Sequence, residues 1–115
     1  MPRSGEFYAS NDYLICELLN DPKYFVTQLG SIYRLKRHQW VKTGQAVTDK
    51  NGKSYHHLKY RGSNLLVHRI IYRKFVGRLA SDLVVNHIDG NSLNNLPSNL
   101  ALCSQTSNMR HAHAG

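Results

Sequence analysis

The sequence predicts an α+β domain in which a basic, β-rich N-terminal part feeds a helix and then a strand–loop–strand unit. Three observations carry that expectation. Short alternating runs separated by turn residues fill positions 24–66. From His68 the period lengthens to that of a helix. Six asparagines then crowd positions 86–108, where Asn side chains favour turns by bonding to nearby backbone. A chain of 115 residues has room for one compact domain with a modest core.

Taken in order, residues 1–23 read as a helical segment. Ser10 or Asn11 can cap a helix whose Leu14, Ile15, Leu18 and Leu19 share a face, and Pro22 follows its end. Two short strands at 24–27 and 31–35 are joined at Leu29-Gly30. The Asn51-Gly52 pair is a tight-turn signal, followed by a strand at 55–60, a turn at Gly62-Ser63-Asn64 and a short run at 65–67. One basic β-meander over 24–66 is the economical reading. His68, Ile71, Tyr72 and Phe75 then form one helical stripe, with Arg69, Arg73 and Lys74 off it, and Gly77 is a natural stop. Strand-like runs at 83–85 and 100–102 flank the asparagines. A last helix follows Cys103, capped by Ser104 or Thr106. The expected divisions are therefore 1–23, 24–66 and 67–113, packed as one unit.

Charge narrows the function. The formal net charge is +8, and the sequence pI is about 9.8. Between residues 32 and 78 lie twelve Lys and Arg against a single acidic residue, Asp49, whereas the first 31 residues carry more acid than base. Such segregation is the electrostatic footprint expected for a phosphate backbone, because a plain solvated face mixes both signs. Cys16 and Cys103 stand far apart with no CxxC, which excludes a zinc ribbon or a disulfide scaffold and suits reduced thiols in a cytoplasmic protein. No run approaches a signal peptide or a membrane span, so no membrane partner is expected. His56 and His57 alternate along a strand and point to opposite faces, so they cannot chelate one metal as neighbours. Trp40, Tyr33, Tyr55 and Tyr60 lie among the cations, where they either stack on bases or fill a core.

The segment Val85-Asn86-His87-Ile88-Asp89-Gly90-Asn91 has a plain reading as a strand ending in an Asp-Gly turn with an ordinary histidine. The spacing downstream adds to it: Asn99 follows His87 by twelve residues and Asn108 by nine more. Together with His68-Arg69, Phe75, Asn94-Asn95, Asn99-Leu100 and Ser107-Asn108-Met109-Arg110-His111-Ala112, this segment resembles the HNH endonucleases. More narrowly, it resembles their small phage- and intron-associated, homing-type members. The resemblance covers about residues 24–113.

That resemblance implies a basic β-rich N-terminal part followed by a ββα-metal (HNH) core, and metal-dependent hydrolysis of DNA phosphodiester bonds. It implies His87 as the general base and Asn99 as the residue that holds its imidazole in one tautomer. Asn86 and Asn108 would offer amide oxygens to one divalent cation, Mg²⁺ or Mn²⁺, with His111 a further candidate ligand or an exposed helix histidine. Arg34, Lys36, Arg37, Arg69, Arg73, Lys74 and Arg110 are the candidate DNA contacts. The implied setting is the cytoplasm, as in a phage-infected bacterial cell, and a homodimer is left open. Many family members carry Asp or His where this chain has the neutral Asn86. The rival reading is a non-catalytic DNA-binding module with a degenerate HNH site.

Overall fold

The computed structural model describes residues 4–79 and 83–104, with side chains from residue 12 onward. It is a small mixed α+β fold. Helix α1 spans Ser4–Leu19 and buries Leu14, Ile15 and Leu18. Ser10 and Asn11 lie inside this helix rather than at its start, because after Gly5 in the first turn nothing breaks the helix before them. The Asn20 side chain closes the C-terminus by donating to the Cys16 carbonyl at 2.9 Å.

Strands β1 (Tyr24–Val26), β2 (Ile32–Lys36) and β3 (Gln39–Thr43) form one antiparallel sheet, and β4 (Gln45–Thr48), β5 (Ser54–Tyr60) and β6 (Ser63–Leu66) form another. The single meander expected over 24–66 is thus two three-stranded sheets in sequence. The break falls between β3 and β4 at Gly44, whose φ of +104° turns the chain out of the first sheet in a conformation that L side chains rarely adopt. Arg37 and His38, both at positive φ, form the two-residue tip between β2 and β3, as a type I′ hairpin requires. Asp49 organises the tip between β4 and β5 by accepting from the Asn51 and Lys53 backbone N–H groups.

Helix α2 (Val67–Phe75) follows β6 directly and is gripped on more than one side: Val67, His68, Arg69, Ile70, Ile71 and Tyr72 are all buried. Ile70 and Ile71 are wholly excluded from water, each contributing about 1.5–3 kcal/mol by apolar burial. They join Ile15 and Leu18 of α1, Ile32 of the first sheet and Leu65 of the second in one core. Strands β7 (Leu83–His87) and β8 (Leu100–Ser104) pair as a hairpin, packed against that core through Val85 and Leu100. A 3₁₀ turn at Pro97–Asn99 leads into β8. The last helix expected after Cys103 lies outside the described residues.

Candidate active site

The β7–β8 hairpin is closed by a loop whose conformation is written in asparagine and aspartate side chains. Asp89 is its hub. Its carboxylate accepts from the Asn91 backbone N–H at 2.8 Å, from Asn94 Nδ2 at 2.9 Å and from Asn99 Nδ2 at 2.9 Å. These bonds, led by that from Asn94, hold its carboxyl below its ordinary pKa. Asn99, at the entry to β8, uses both ends of its amide on the loop: Oδ1 accepts from the Asp89 N–H at 3.0 Å, and Nδ2 also reaches the Asn94 carbonyl.

His87 ends β7 and is buried at 8% exposure. Its Nε2 lies 2.8 Å from Asn95 Oδ1, so the contact expected of Asn99 is made by Asn95 instead. The reason is geometric, since the Asn99 amide is turned into the loop, onto Asp89 and Asn94. With the Asn95 oxygen facing it, this bond requires the proton on Nε2 and leaves the lone pair to Nδ1. Burial pushes the His87 pKa down, against the opposing pull of Asn95 and Asp89, which keeps the imidazole neutral at neutral pH.

The wall behind His87 is built from the preceding elements. His68 of α2 meets it edge-on with ring centroids 4.8 Å apart, and Tyr55 of β5 stands 6.4 Å from it. His68 is buried, and its pKa is pushed down to about 3, chiefly by desolvation and then by His87 and Arg69. It is a neutral packing partner at working pH. Two further contacts tie β5 to the loop: Ser92 Oγ donates to the Ser54 carbonyl, and Asn95 Nδ2 lies 3.2 Å from His56 Nδ1.

Asn86, half-buried one residue before His87, has an amide with no hydrogen-bond partner among the described residues. Its free amide oxygen is a hard donor of the kind Mg²⁺ or Mn²⁺ accepts, so this position fits such a cation. Among the described residues no cluster of three or more His, Cys, Asp or Glu is placed to hold a metal. Asn108, Arg110 and His111 lie outside the described residues.

The candidate DNA cations divide. Arg34, Lys36, Arg37 and Lys74 are exposed, and Arg73 is half-buried. Arg69 is not a surface cation: its side chain is 4% exposed and its Nη2 bonds Asp12 Oδ1 of α1 at 2.7 Å. The sequence places it off the apolar stripe, but α1 covers that flank of α2, so a long cation is retained there by pairing. An open cleft of about 590 Å³ between the two sheets is lined by Arg34, Lys42, His57 and Lys59, with no acidic residue. Trp40 is half-exposed against Phe25, whereas Tyr60 is core. No helix among the described residues is long and apolar enough to cross a membrane.

Residues 65–110 match the model of the HNH endonuclease family. A protein named as an SPbeta prophage-derived HNH homing endonuclease, YosQ of Bacillus subtilis (strain 168), is 31% identical over 99 residues, covering 86% of this chain and 57% of its own. An HNH endonuclease of Acanthamoeba polyphaga mimivirus is 41% identical over 58 residues, 50% of this chain and 31% of its own. The chain therefore spans less than two thirds of either relative. The solved structure of the HNH homing endonuclease I-HmuI, concerned with DNA binding and cleavage, shares the fold with a TM-score of 0.61 at 28% identity, over 82% of this chain and 53% of that one.

Proposed function

We propose, from the premise that this chain belongs with the HNH endonucleases, that it is a DNA endonuclease hydrolysing phosphodiester bonds with one divalent cation, Mg²⁺ or Mn²⁺. The observation that carries the reading is the placement of His87, buried at the end of β7 and bonded through Nε2 to Asn95, which leaves Nδ1 as the base. Nδ1 takes a proton from the attacking water, and the positive charge that develops on the ring is stabilised by Asn95 Oδ1 and the nearby Asp89 carboxylate. Asn86 and Asn108 are the proposed amide ligands, with His111 as a further one. Held there, a divalent cation would supply Lewis-acid polarisation of the scissile phosphate and charge stabilisation for the leaving 3′ oxygen. Asn99 acts one step back, clamping the loop on which Asp89 and Asn95 ride.

DNA lies against residues 24–66, where Arg34, Lys36, Arg37, Lys42 and Lys59 present their charge, and runs to the nuclease core at 67–113 past Arg73, Lys74 and Arg110. The proposed substrate implies an intracellular setting. The neutral Asn86 favours a second reading, a DNA-binding module without turnover. One experiment separates them: supercoiled plasmid incubated with and without Mg²⁺ or Mn²⁺, beside His87→Ala. Metal-dependent nicking that falls about 10²–10⁴-fold in His87→Ala, with DNA binding retained, is the expected result. Binding without nicking in any metal supports the module.

A further inference from the structure

Two hydrogen bonds meet at one amide. Asn95 is 4% exposed, accepts from His87 Nε2 and donates to His56 Nδ1. The two contacts fix each other. If the amide turned over, two donors would face His87 Nε2–H, and the oxygen would face the lone pair of His56. Burial, with Lys42 and His57, pushes the His56 pKa down and favours the neutral ring, the form with a nitrogen able to accept. The backbone of Asn95 is set from a third direction. Gly30, in the turn between β1 and β2, sits so close that a Cβ there would lie 2.6 Å from the Asn95 carbonyl oxygen. Gly30 sits in a turn of the first sheet and His56 in a strand of the second, and both lie outside the matched segment 65–110.

We propose that Asn95 is the positioning residue that fixes His87 in its Nε2–H tautomer, and that His56 and Gly30, from the two N-terminal sheets, hold Asn95 in the orientation that does so. The N-terminal part is then a component of the active site and not only a DNA clamp. A hydrogen bond from Nε2–H to the Asn95 amide oxygen aims Nδ1, in the way outer ligands orient a working imidazole. The catalytic consequence rests on His87 acting as the base, while the tautomer itself does not.

The full chain, uniformly ¹⁵N-labelled, tests this by long-range ¹H–¹⁵N correlation of its imidazoles at about pH 8, above the ordinary histidine range. The His87 signals are identified by their loss in His87→Gln. The wild-type protein should show Nε2 protonated and Nδ1 bare. Asn95→Asp, which keeps an acceptor in the same shape, should preserve that pattern. Asn95→Leu should lose it, and His56→Leu should weaken it by freeing the amide to turn. In plasmid nicking, Asn95→Leu should lower kcat about 10–100-fold with KM for DNA unchanged. A wild-type His87 protonated on Nδ1 overturns the proposal before any variant is made. So does a wild-type pattern retained in Asn95→Leu. Should Asn95→Leu fail to fold, a His87 pattern changed in the isosteric Asn95→Asp overturns it. Absence of nicking in every metal removes the endonuclease reading alone, because the spectra decide the tautomer without turnover.

Discussion

Gly30 and Asn95, 65 positions apart in sequence, pack so tightly that a Cβ at residue 30 would lie 2.6 Å from the Asn95 carbonyl oxygen and 3.0 Å from its Cβ. The glycine also holds φ at +82°. Both facts forbid a side chain, one by collision with backbone and the other by conformation. The turn that carries Gly30 is itself pinned, because Thr27 Oγ1 bonds the Ser31 backbone at both its N–H and its carbonyl. The turn therefore cannot yield cheaply, and the loop that holds Asn95 must move.

Gly30→Ala should accordingly destabilise the fold by about 1–3 kcal/mol, the usual cost of forcing a non-glycine into a left-handed conformation. It should also slow plasmid nicking, although residue 30 touches no proposed ligand. Urea denaturation and a nicking assay on the same preparation check this. A variant as stable and as active as wild type would mean that the loop relaxes freely around residue 30.

Much of the architecture is legible in the sequence, and the parts that are not share a cause. The β1–β2 hairpin, the Asn-Gly turn before β5, α2 and the β7–β8 pair all announce themselves by period or by turn residues. The split into two sheets does not, because β3 and β4 are exposed along nearly their whole length and carry no alternation to read. In the site, His87 stands out by its setting. The choice between Asn95 and Asn99 as its partner does not, because the path of the 88–99 loop is fixed by side-chain bonds among near-identical residues. Arg69 misleads for a similar reason: a helix can be read from sequence more readily than the element that covers its far side.

Arg69 and Lys74 should behave oppositely despite standing five residues apart on one helix. Arg69→Ala takes this partner from Asp12, whose side chain is only partly buried. Losing a charged hydrogen bond of this kind costs about 1.5–3 kcal/mol before the lost packing of the buried arginine is counted. A large loss of stability is the expected result. Lys74→Glu, combined with Arg34→Glu and Lys36→Glu at exposed positions, should leave the melting transition nearly unmoved. Its DNA affinity should fall for every sequence, and the salt dependence should flatten. Fluorescence anisotropy across a salt series, with thermal melts of both proteins, separates the two effects. An unchanged salt slope in the triple variant would place the DNA surface elsewhere.

Acid should destabilise the protein before any carboxylate titrates. His68 has its folded pKa pushed down to about 3 from an ordinary 6.5, so over that interval the unfolded chain binds a proton that the native chain refuses. Stability present above pH 6.5 is lost as pH falls, at up to about 1.4 kcal/mol per pH unit for this one group. His87 and His56, whose pKa values are also lowered by burial, act in the same direction. His68→Phe, which keeps a ring against His87, should flatten the decline between about pH 6.5 and 4.5. Melts across that range test it, and a slope equal to wild type would remove His68 as the source.

At the proposed metal site a single atom decides between the two readings. Asn86 supplies a neutral oxygen, and the nearby Asp89 carboxylate is turned onto Asn91, Asn94 and Asn99 of its own loop. A cation held by amides leans more on water and on the DNA phosphate, and ligand charge count is a main determinant of affinity for Mg²⁺-like ions. Asn86→Asp adds a formal charge at nearly constant shape. It should lower the Mg²⁺ or Mn²⁺ concentration for half-maximal nicking by about an order of magnitude. Asn108→Ala should raise it. Metal titrations of the nicking rate for wild type and both variants make the comparison at fixed DNA. Should the half-maximal concentration stay in place for both, neither residue is a ligand, and the catalytic role of His87 would have to be argued without them.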